Sequence, residues 1–292
     1  MTRAPPARTS DLLLTASAPV VWGTTYIVTT EFLPDGYPLT TALLRALPAG
    51  LLLLAWVRDL PRGIWWGRVF ALGALNFSLF WFLLFVSAYR LPGGVAATVG
   101  AIQPLMVVIL STLLLRAPLR IAAIGAALAG VVGVALLILK PNAALDPLGV
   151  AAGLGGAASM ALGTVLTKRW QPPVSALTFT AWQLVAGGVL LLPFALALEG
   201  PLPRPSLYET LGFAWLGLFG AAISYWLWFR GIARLGASTV SPFVLLSPVT
   251  AVLLGWIVLG QTLNALQLCG MALVLASVWL GQRASRAPPA RR

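Results

Sequence analysis

Histidine is missing from this sequence altogether, and cysteine occurs once, at Cys269. The lone thiol excludes an internal disulfide and any multi-cysteine metal site. Without imidazole the chain also lacks the commonest metal ligand, general base and proton shuttle. Charge is scarce: Asp, Glu, Lys and Arg make up 9% of the 292 residues, and 7 residues are acidic. A soluble domain of this length needs far more charge to cover its surface. An integral-membrane enzyme would need a nucleophile–base pair or a metal cluster at one membrane face. A few scattered acids do not supply one, so neither an enzymatic activity nor a cofactor or metal is expected.

What the sequence has in abundance is apolar surface. Hydrophobic residues make up 59% of it and the mean hydropathy is +0.92. Apolar runs recur along the whole chain, and roughly 20 such residues span the hydrocarbon core as a helix. Ten spans are predicted, at about 11–32, 38–57, 67–88, 92–115, 119–139, 147–168, 174–198, 208–230, 235–260 and 263–281. The fold class is therefore all-α, a polytopic membrane protein. The linkers are short and hold the helix breakers: LPDGYP, DLPRG, RLPGG, RAPLR, PNAALDP, QPP and EGPLPRP. None is long enough to fold alone. Ala16-Ser17-Ala18 mimics a signal-peptidase site, but the apolar run continues well past it, which predicts an uncleaved first span.

The net charge of +12 does not mark a nucleic-acid binder, because the basic residues fall in short loops rather than along one face. They mark orientation instead. With a cytoplasmic N-terminus, the inner loops and tails hold 15 of the 19 basic residues. The outer loops hold Arg90, Lys140 and Arg204, and Arg45 is left within a span. The positive-inside rule then predicts a multi-pass protein of the bacterial-type cytoplasmic membrane, with both termini cytoplasmic and lipid around it.

An internal repeat runs through the chain. AYRLPGGVAATVGAIQPLMVVIL, from Ala88, lies without a gap over IARLGASTVSPFVLLSPVTAVLL, from Ile232, at an offset of 144. Arg90 meets Arg234, Pro104 meets Pro248 and, further back, Gly73 meets Gly217. Trp22-Gly23-Thr24 resembles Leu162-Gly163-Thr164 at an offset of 140. The predicted division is two repeats of five spans, residues 1–142 and 143–292. Five is odd, so the second copy enters the membrane from the opposite side, which makes the repeat an inverted one. Inverted repeats are a transporter device, since two such copies can exchange roles around a midplane site. An interior proline removes a backbone donor and costs about 3 kcal/mol or more. Paired prolines in the fourth and ninth spans therefore predict matched bends, with Pro104 and Pro248 available as hinges.

The constellation resembles the drug/metabolite transporter superfamily, in its ten-span branch of two EamA-type repeats. Trp22-Gly23, Leu44-Arg45, Gln103-Pro104 and Ser247-Pro248 carry the resemblance, which covers essentially the whole chain. The chain looks most like the aromatic amino acid exporters of bacterial inner membranes. The resemblance implies a central cavity lined by spans 1–4 and 6–9, with spans 5 and 10 at the periphery as supports. It also implies outward flux. Many members carry a glutamate after a Leu-Gly pair at the end of the ninth span; here the place reads Leu259-Gly260-Gln261, so no charge acts there.

The candidate substrate-lining residues follow from what is costly to expose to lipid. Arg45 is the only basic residue well within a span, where it would hold a substrate carboxylate, snorkel, or satisfy carbonyls near Pro48. Asn76, Gln103, Gln183, Ser224 and Ser241 should point into the bundle, either lining the cavity or bonding between helices. Trp22, Tyr26, Phe77, Phe80, Trp81, Trp182, Tyr225 and Trp226 lie deep. Asn76, Phe77, Phe80 and Trp81 share one helical face by spacing, suited to stacking an aromatic side chain while the amide fixes its polar end. No carboxylate lies deep enough for a proton relay, with Glu31 the one possible exception near an outer edge. The expected activity is transport of small solutes by a facilitator or by a carrier driven by gradient or membrane potential, aromatic and other neutral amino acids first, with lipophilic cations, drugs or other metabolites as the alternative. Gly125, Ala129 and Gly133 in the fifth span and Gly270, Ala272 and Ala276 in the tenth predict close helix packing within one chain. The expected state is a monomer or weak dimer.

Overall fold

Hydrocarbon offers the backbone no hydrogen-bond partners, so long apolar runs fold into helices that satisfy their own N–H and C=O groups. The computed structural model describes residues 9–34, 36–91, 93–138, 146–200 and 204–285, and all of its elements are helical. Ten helices are long and apolar enough to cross a membrane. They are α1 (Thr9–Phe32), α2 (Pro38–Val57), α3 (Trp65–Ser87), α4 (Ala97–Leu115) and α5 (Ile121–Ile138) in the first half. In the second half they are α6 (Pro147–Trp170), α7 (Ala176–Leu198), α8 (Leu207–Leu235), α9 (Ala237–Leu259) and α10 (Ala265–Ala284). Each lies within a few residues of a hydropathy run. Lys140, the tail residues Arg3, Arg8, Arg286, Arg291 and Arg292, and the expected boundary at residues 142 and 143 lie outside the described residues.

The few polar residues near the ends set where helices begin. Asp146 accepts the Gly149 N–H at 2.7 Å with Pro147 in the first turn of α6. Ser175 caps α7, and Ser206 with Glu209 forms a capping box on α8. Glu199, at the end of α7, accepts the Leu39 and Thr40 N–H groups at 2.6 and 2.7 Å, so it closes the exposed start of α2 from the other half.

The packing carries the inverted repeat. α1 packs on α8 and α9, while α6 packs on α3 and α4. α2 pairs with α7, and α5 pairs with α10. Exchanging the halves sends each pairing onto its counterpart or onto itself, as two inverted five-helix units require. Where α2 and α7 cross, a Cβ at Gly50 would stand 2.7 Å from the Val185 nitrogen and one at Gly188 would stand 2.7 Å from Leu47 Cβ.

α5 and α10 meet backbone to backbone at the edge of the bundle. A Cβ at Gly270 would stand 2.6 Å from the Leu137 nitrogen, and one at Gly133 would stand 2.9 Å from the Val274 nitrogen. The expected small-residue seam is therefore intramolecular, but it is shifted: nothing lies within 4 Å of a Cβ at Gly125, which is exposed, and Gly130 packs instead. Cys269 is exposed. It sits on the α10 face that turns away from α5.

Two matched irregularities interrupt each half. In α3 a π-helical turn covers Ala74–Ser78, and in α8 one covers Leu218–Ile223, so both begin 144 residues apart. In the fourth span the α-helix ends at Gly100 and resumes at Gln103; in the ninth, a 3₁₀ turn at Ser241–Leu245 precedes the helix resuming at Leu246. Pro104 and Pro248 thus fall in the first turn of a restarted helix, where the missing N–H has no partner to lose. Pro242 likewise starts the 3₁₀ turn. Both restarted helices end alike, with Arg116 and Gly260 at φ 54° and 64°. Beyond them, the Ala117 N–H reaches Ser111 O at 3.2 Å and the Gln261 N–H reaches Gly255 O at 3.1 Å.

Candidate functional site

The two π-helical turns both pack against α7, and the site is built around them. A π turn inserts one residue into the helix, which frees backbone carbonyls and re-aims the side chains beyond it. Asn76 in the first turn corresponds to Gly220 in the second, and Trp81 corresponds to Tyr225, each pair 144 apart.

Arg45 reaches this centre from α2. Its Nη2 donates to Gly220 O, the carbonyl of the α8 π turn, at 2.7 Å. Its guanidinium lies over Trp81, 5.3 Å from the ring centroid, and within electrostatic reach of the Tyr26 and Tyr225 hydroxyls. Arg45 is 9% exposed and its Nε is buried without a partner. Among the described residues the ion pairs are Arg90–Asp146, Arg230–Asp11 and Arg234–Asp11, so no carboxylate neutralises Arg45. The crossing of α2 and α7 relates Gly50 to Gly188 and Leu47 to Val185, an offset of 138 at which uncharged Gln183 takes the place of Arg45, so the cation belongs to one half only.

Below and beside it, two amides and a hydroxyl tie the halves together. Asn76 Nδ2 donates to Gln183 Oε1 at 2.8 Å with both residues fully buried. Gly163 of α6 leaves room for the Asn76 side chain: a Cβ there would stand 2.7 Å from Asn76 Cγ and closer still to Oδ1. Asn76 Oδ1 and Gln183 Nε2 remain unpartnered. The Trp22 indole donates to Ser224 Oγ at 2.9 Å. Rings fill the rest: Trp22 stacks near Tyr225 and Trp228 at centroid distances of 4.8 and 5.0 Å, and Phe77 touches Tyr225 at 4.6 Å and Trp81 at 5.3 Å.

The structure therefore brings together Trp22, Arg45, Asn76, Phe77, Trp81, Gln183, Ser224 and Tyr225. Tyr26 stands beside them, 53% exposed, and offers its ring to open space rather than to the packed cluster. Five expected members do not join, among them Trp226, which is exposed rather than deep, and Ser241, which is buried with its hydroxyl unpartnered. Trp182 is buried, but its indole N–H is committed to Asp59 O at 2.6 Å, at the end of the bundle that carries the basic loops. Phe80 is only half-buried, because the π turn breaks the i, i+4 register that placed it on the face of Asn76. Gln103 is buried at the restart of the fourth span with both amide atoms unpartnered, and no bond links it to the cluster. Sequence reasoning missed the Gly220 carbonyl, Trp228 and Phe229. The matched pair Gly73 and Gly217, each just ahead of a π turn, was the available signal.

Among the described residues, the acids stand away from this centre. Asp11, Asp146, Glu199 and Glu209 are engaged at helix ends, and exposed Glu31 accepts from Thr30 at 3.2 Å. Among the described residues no group of three His, Cys, Asp or Glu is placed to hold a metal ion. Two surface cavities also lie off the centre. One of about 210 Å³ at the basic end is lined by Ser111, Lys168 and Thr239 among others, but Lys168 and Arg120 there donate to the helix-terminal carbonyls Ala233 O and Ala284 O. An apolar groove of about 360 Å³ runs between α1 and α8 past Phe32 and Trp215.

The family's sequence model matches twice, over residues 9–139 and again over residues 147–281, and its description is the EamA-like transporter family. The chain belongs to the EamA-like transporter family. It is a multi-pass membrane transporter of the drug/metabolite type. Protein PecM of Dickeya dadantii is 45% identical over 268 residues, covering 91% of this chain and 90% of that one. The uncharacterized inner membrane transporter YedA of Escherichia coli K12 is 30% identical, covering 89% and 87%. A solved crystal structure superposes with a TM-score of 0.80 at 22% identity, covering 94% of this chain and 96% of that one, and so shares its fold.

Proposed function

We propose that this chain is an inner-membrane exporter or facilitator of small carboxylate-bearing solutes, aromatic and other neutral amino acids first. It works by alternating access around the α3–α8 centre, with both termini cytoplasmic. Arg45 carries the reading. A guanidinium held within the membrane, with a vacant N–H and no carboxylate partner, is a costly arrangement unless a ligand completes it. An α-carboxylate supplies the missing charge, and the guanidinium can donate to it in two parallel N–H···O bonds. The rings of Trp22, Trp81 and Tyr225 with exposed Tyr26 then offer faces for an aromatic or apolar side chain. Asn76 Oδ1 is left to accept from the substrate ammonium, and Gln183 Nε2 to donate to a substrate oxygen or to water.

The same cation disfavours lipophilic cations, which would meet like charge at the centre. Glu31 at the rim and the structural work of the other acids support facilitated transport over proton antiport. The likeness to an inner membrane transporter of Escherichia coli supports that location, and outward direction rests on family likeness. The two five-span halves, residues 1–142 and 143–292, are the moving units in this reading, with the helix restarts at Pro104 and Pro248 as their hinges.

The test is uptake of labelled tryptophan, phenylalanine, threonine and a lipophilic cation into proteoliposomes, with and without a pH gradient. Amino acid flux indifferent to the gradient is expected. Flux that requires the gradient would return a proton-carrying role to Glu31. Movement of the cation alone would overturn the substrate assignment.

A further inference from the structure

The inverted repeat has placed an ion pair at each end of the bundle, and the two pairs are not equally engaged. At the basic end, Asp11 near the start of α1 accepts from Arg230 at 2.6 Å and from Arg234 at 3.1 Å, both on the last turns of α8. At the opposite end, Asp146 at the start of α6 faces Arg90, which closes the helix running on from α3, at 3.6 Å. Arg90 and Arg234 are repeat mates, 144 apart. Each aspartate opens the first helix of its half, and α1–α8 and α6–α3 are the equivalent pairings across the halves. At the offset of 140 Asp11 falls on Ala151 and Asp146 on Pro6, so the clusters share a repeat-related arginine and helix pairing while each half supplies its own aspartate, in opposite orientation. They differ in state: the Asp11 side chain is 9% exposed, against 38% for Asp146. They also differ in strength, since the repeat mate of Arg230 is Val86, so only the basic end has a second arginine.

We infer that these two clusters are the alternating end-latches of the transport cycle, with the Asp11–Arg230–Arg234 latch engaged and the Asp146–Arg90 latch slack in the resting state. The inference rests on the alternating-access reading above. A buried, doubly bonded carboxylate holds its helices far more firmly than a half-exposed pair at longer distance. The repeat makes the two end-states equivalent in backbone, so a difference in latch strength sets which one is populated. The second arginine biases the chain toward closure at the basic end. Passing to the other state requires Asp11 to release both arginines while Asp146 and Arg90 draw together. These five residues are positioning residues. They touch no substrate, and they set the access of the Arg45 centre from each end.

The test reads conformation directly, so it does not depend on knowing the substrate. In a Cys269→Ser background, spin labels at Ser10 and Gln171 report the basic ends of α1 and α6, and labels at Glu31 and Leu148 report their opposite ends. Double electron–electron resonance in nanodiscs is compared for the wild-type background, Asp11→Asn, Arg234→Gln and Asp146→Asn. Weakening the Asp11 latch is expected to lengthen the Ser10–Gln171 distribution and shorten Glu31–Leu148, with Arg234→Gln showing the smaller shift. Asp146→Asn is expected to move the populations the other way. Should Asp11→Asn fail to assemble, Arg234→Gln keeps the test open, because its arginine is half-exposed. Unchanged distributions in all variants, or shifts of the same sign from both ends, would overturn the latch and leave the pairs as static ties. Failure of amino acid flux alongside opposite-signed shifts would sink the substrate reading and keep the latch.

Discussion

Replacing Gly163 with alanine should unseat the central amide pair, and the cost follows from the geometry. The added methyl would stand 2.7 Å from Asn76 Cγ, well inside ordinary contact, with no room for the amide to keep its place. Asn76 must then let go of Gln183, and both residues are fully buried. A lost interhelical hydrogen bond in a membrane averages about 0.6 kcal/mol. Leaving buried amide groups unsatisfied brings the expected loss to about 1–3 kcal/mol. The matched control is Gly125→Ala, whose new methyl meets nothing within 4 Å. It should be neutral, or stabilising by up to about 1 kcal/mol through helix propensity. The assay is reversible unfolding in mixed micelles, followed by helicity as denaturing detergent is added. In an Asn76→Ala background the obstruction is gone, so Gly163→Ala should then cost less than about 0.5 kcal/mol. Equal stabilities for Gly163→Ala and Gly125→Ala, or full additivity with Asn76→Ala, would refute the reasoning.

Other expectations follow from single contacts. Gly270→Val should separate α10 from α5, because even a Cβ would stand 2.6 Å from the Leu137 nitrogen; a loss of about 1–3 kcal/mol in the same unfolding assay is expected. Glu199→Gln should loosen the start of α2 by about 1–3 kcal/mol, since one carboxylate oxygen becomes an NH2 that cannot accept, leaving one of the Leu39 and Thr40 N–H groups without its bond and the other with a neutral one; hydrogen exchange at the first turn of α2 would show it. Trp81→Ala should lower the rate of amino acid flux at unchanged membrane abundance, and wild-type flux would remove the ring from the site. Arg45→Lys should retain charge yet lose the two-bond geometry, so affinity for a carboxylate substrate should fall about tenfold or more, a difference of about 1.4 kcal/mol measured by tryptophan fluorescence titration.

The spans were legible because hydrocarbon admits so few structures: composition and length alone set ten helices and their approximate ends. The repeat was legible because Arg90, Pro104, Gly73 and their mates recur at one offset. The centre was legible only in part. Arg45, Asn76, Gln183 and Ser224 betray themselves, since a polar group in an apolar span needs an interior partner. Phe80 and Trp182 did not sort correctly, for two physical reasons. The π turn at Ala74–Ser78 shifts the phase of α3, and no α-helical spacing rule anticipates the insertion. The Trp182 indole N–H, for its part, found a loop carbonyl at Asp59, a tertiary contact with no local sequence signal. The prolines show the same limit. Pairing predicted bends, while the structure shows each helix broken just before its proline and restarted around it.

The most direct test of the central claim compares tryptophan with tryptamine, which keeps the indole and the amine but lacks the carboxylate. In counterflow from proteoliposomes preloaded with tryptophan, the wild-type protein is expected to exchange tryptophan and ignore tryptamine, and Arg45→Met is expected to exchange neither. Tryptamine exchange as fast as tryptophan, undiminished in Arg45→Met, would contradict a site organised around the unpaired arginine.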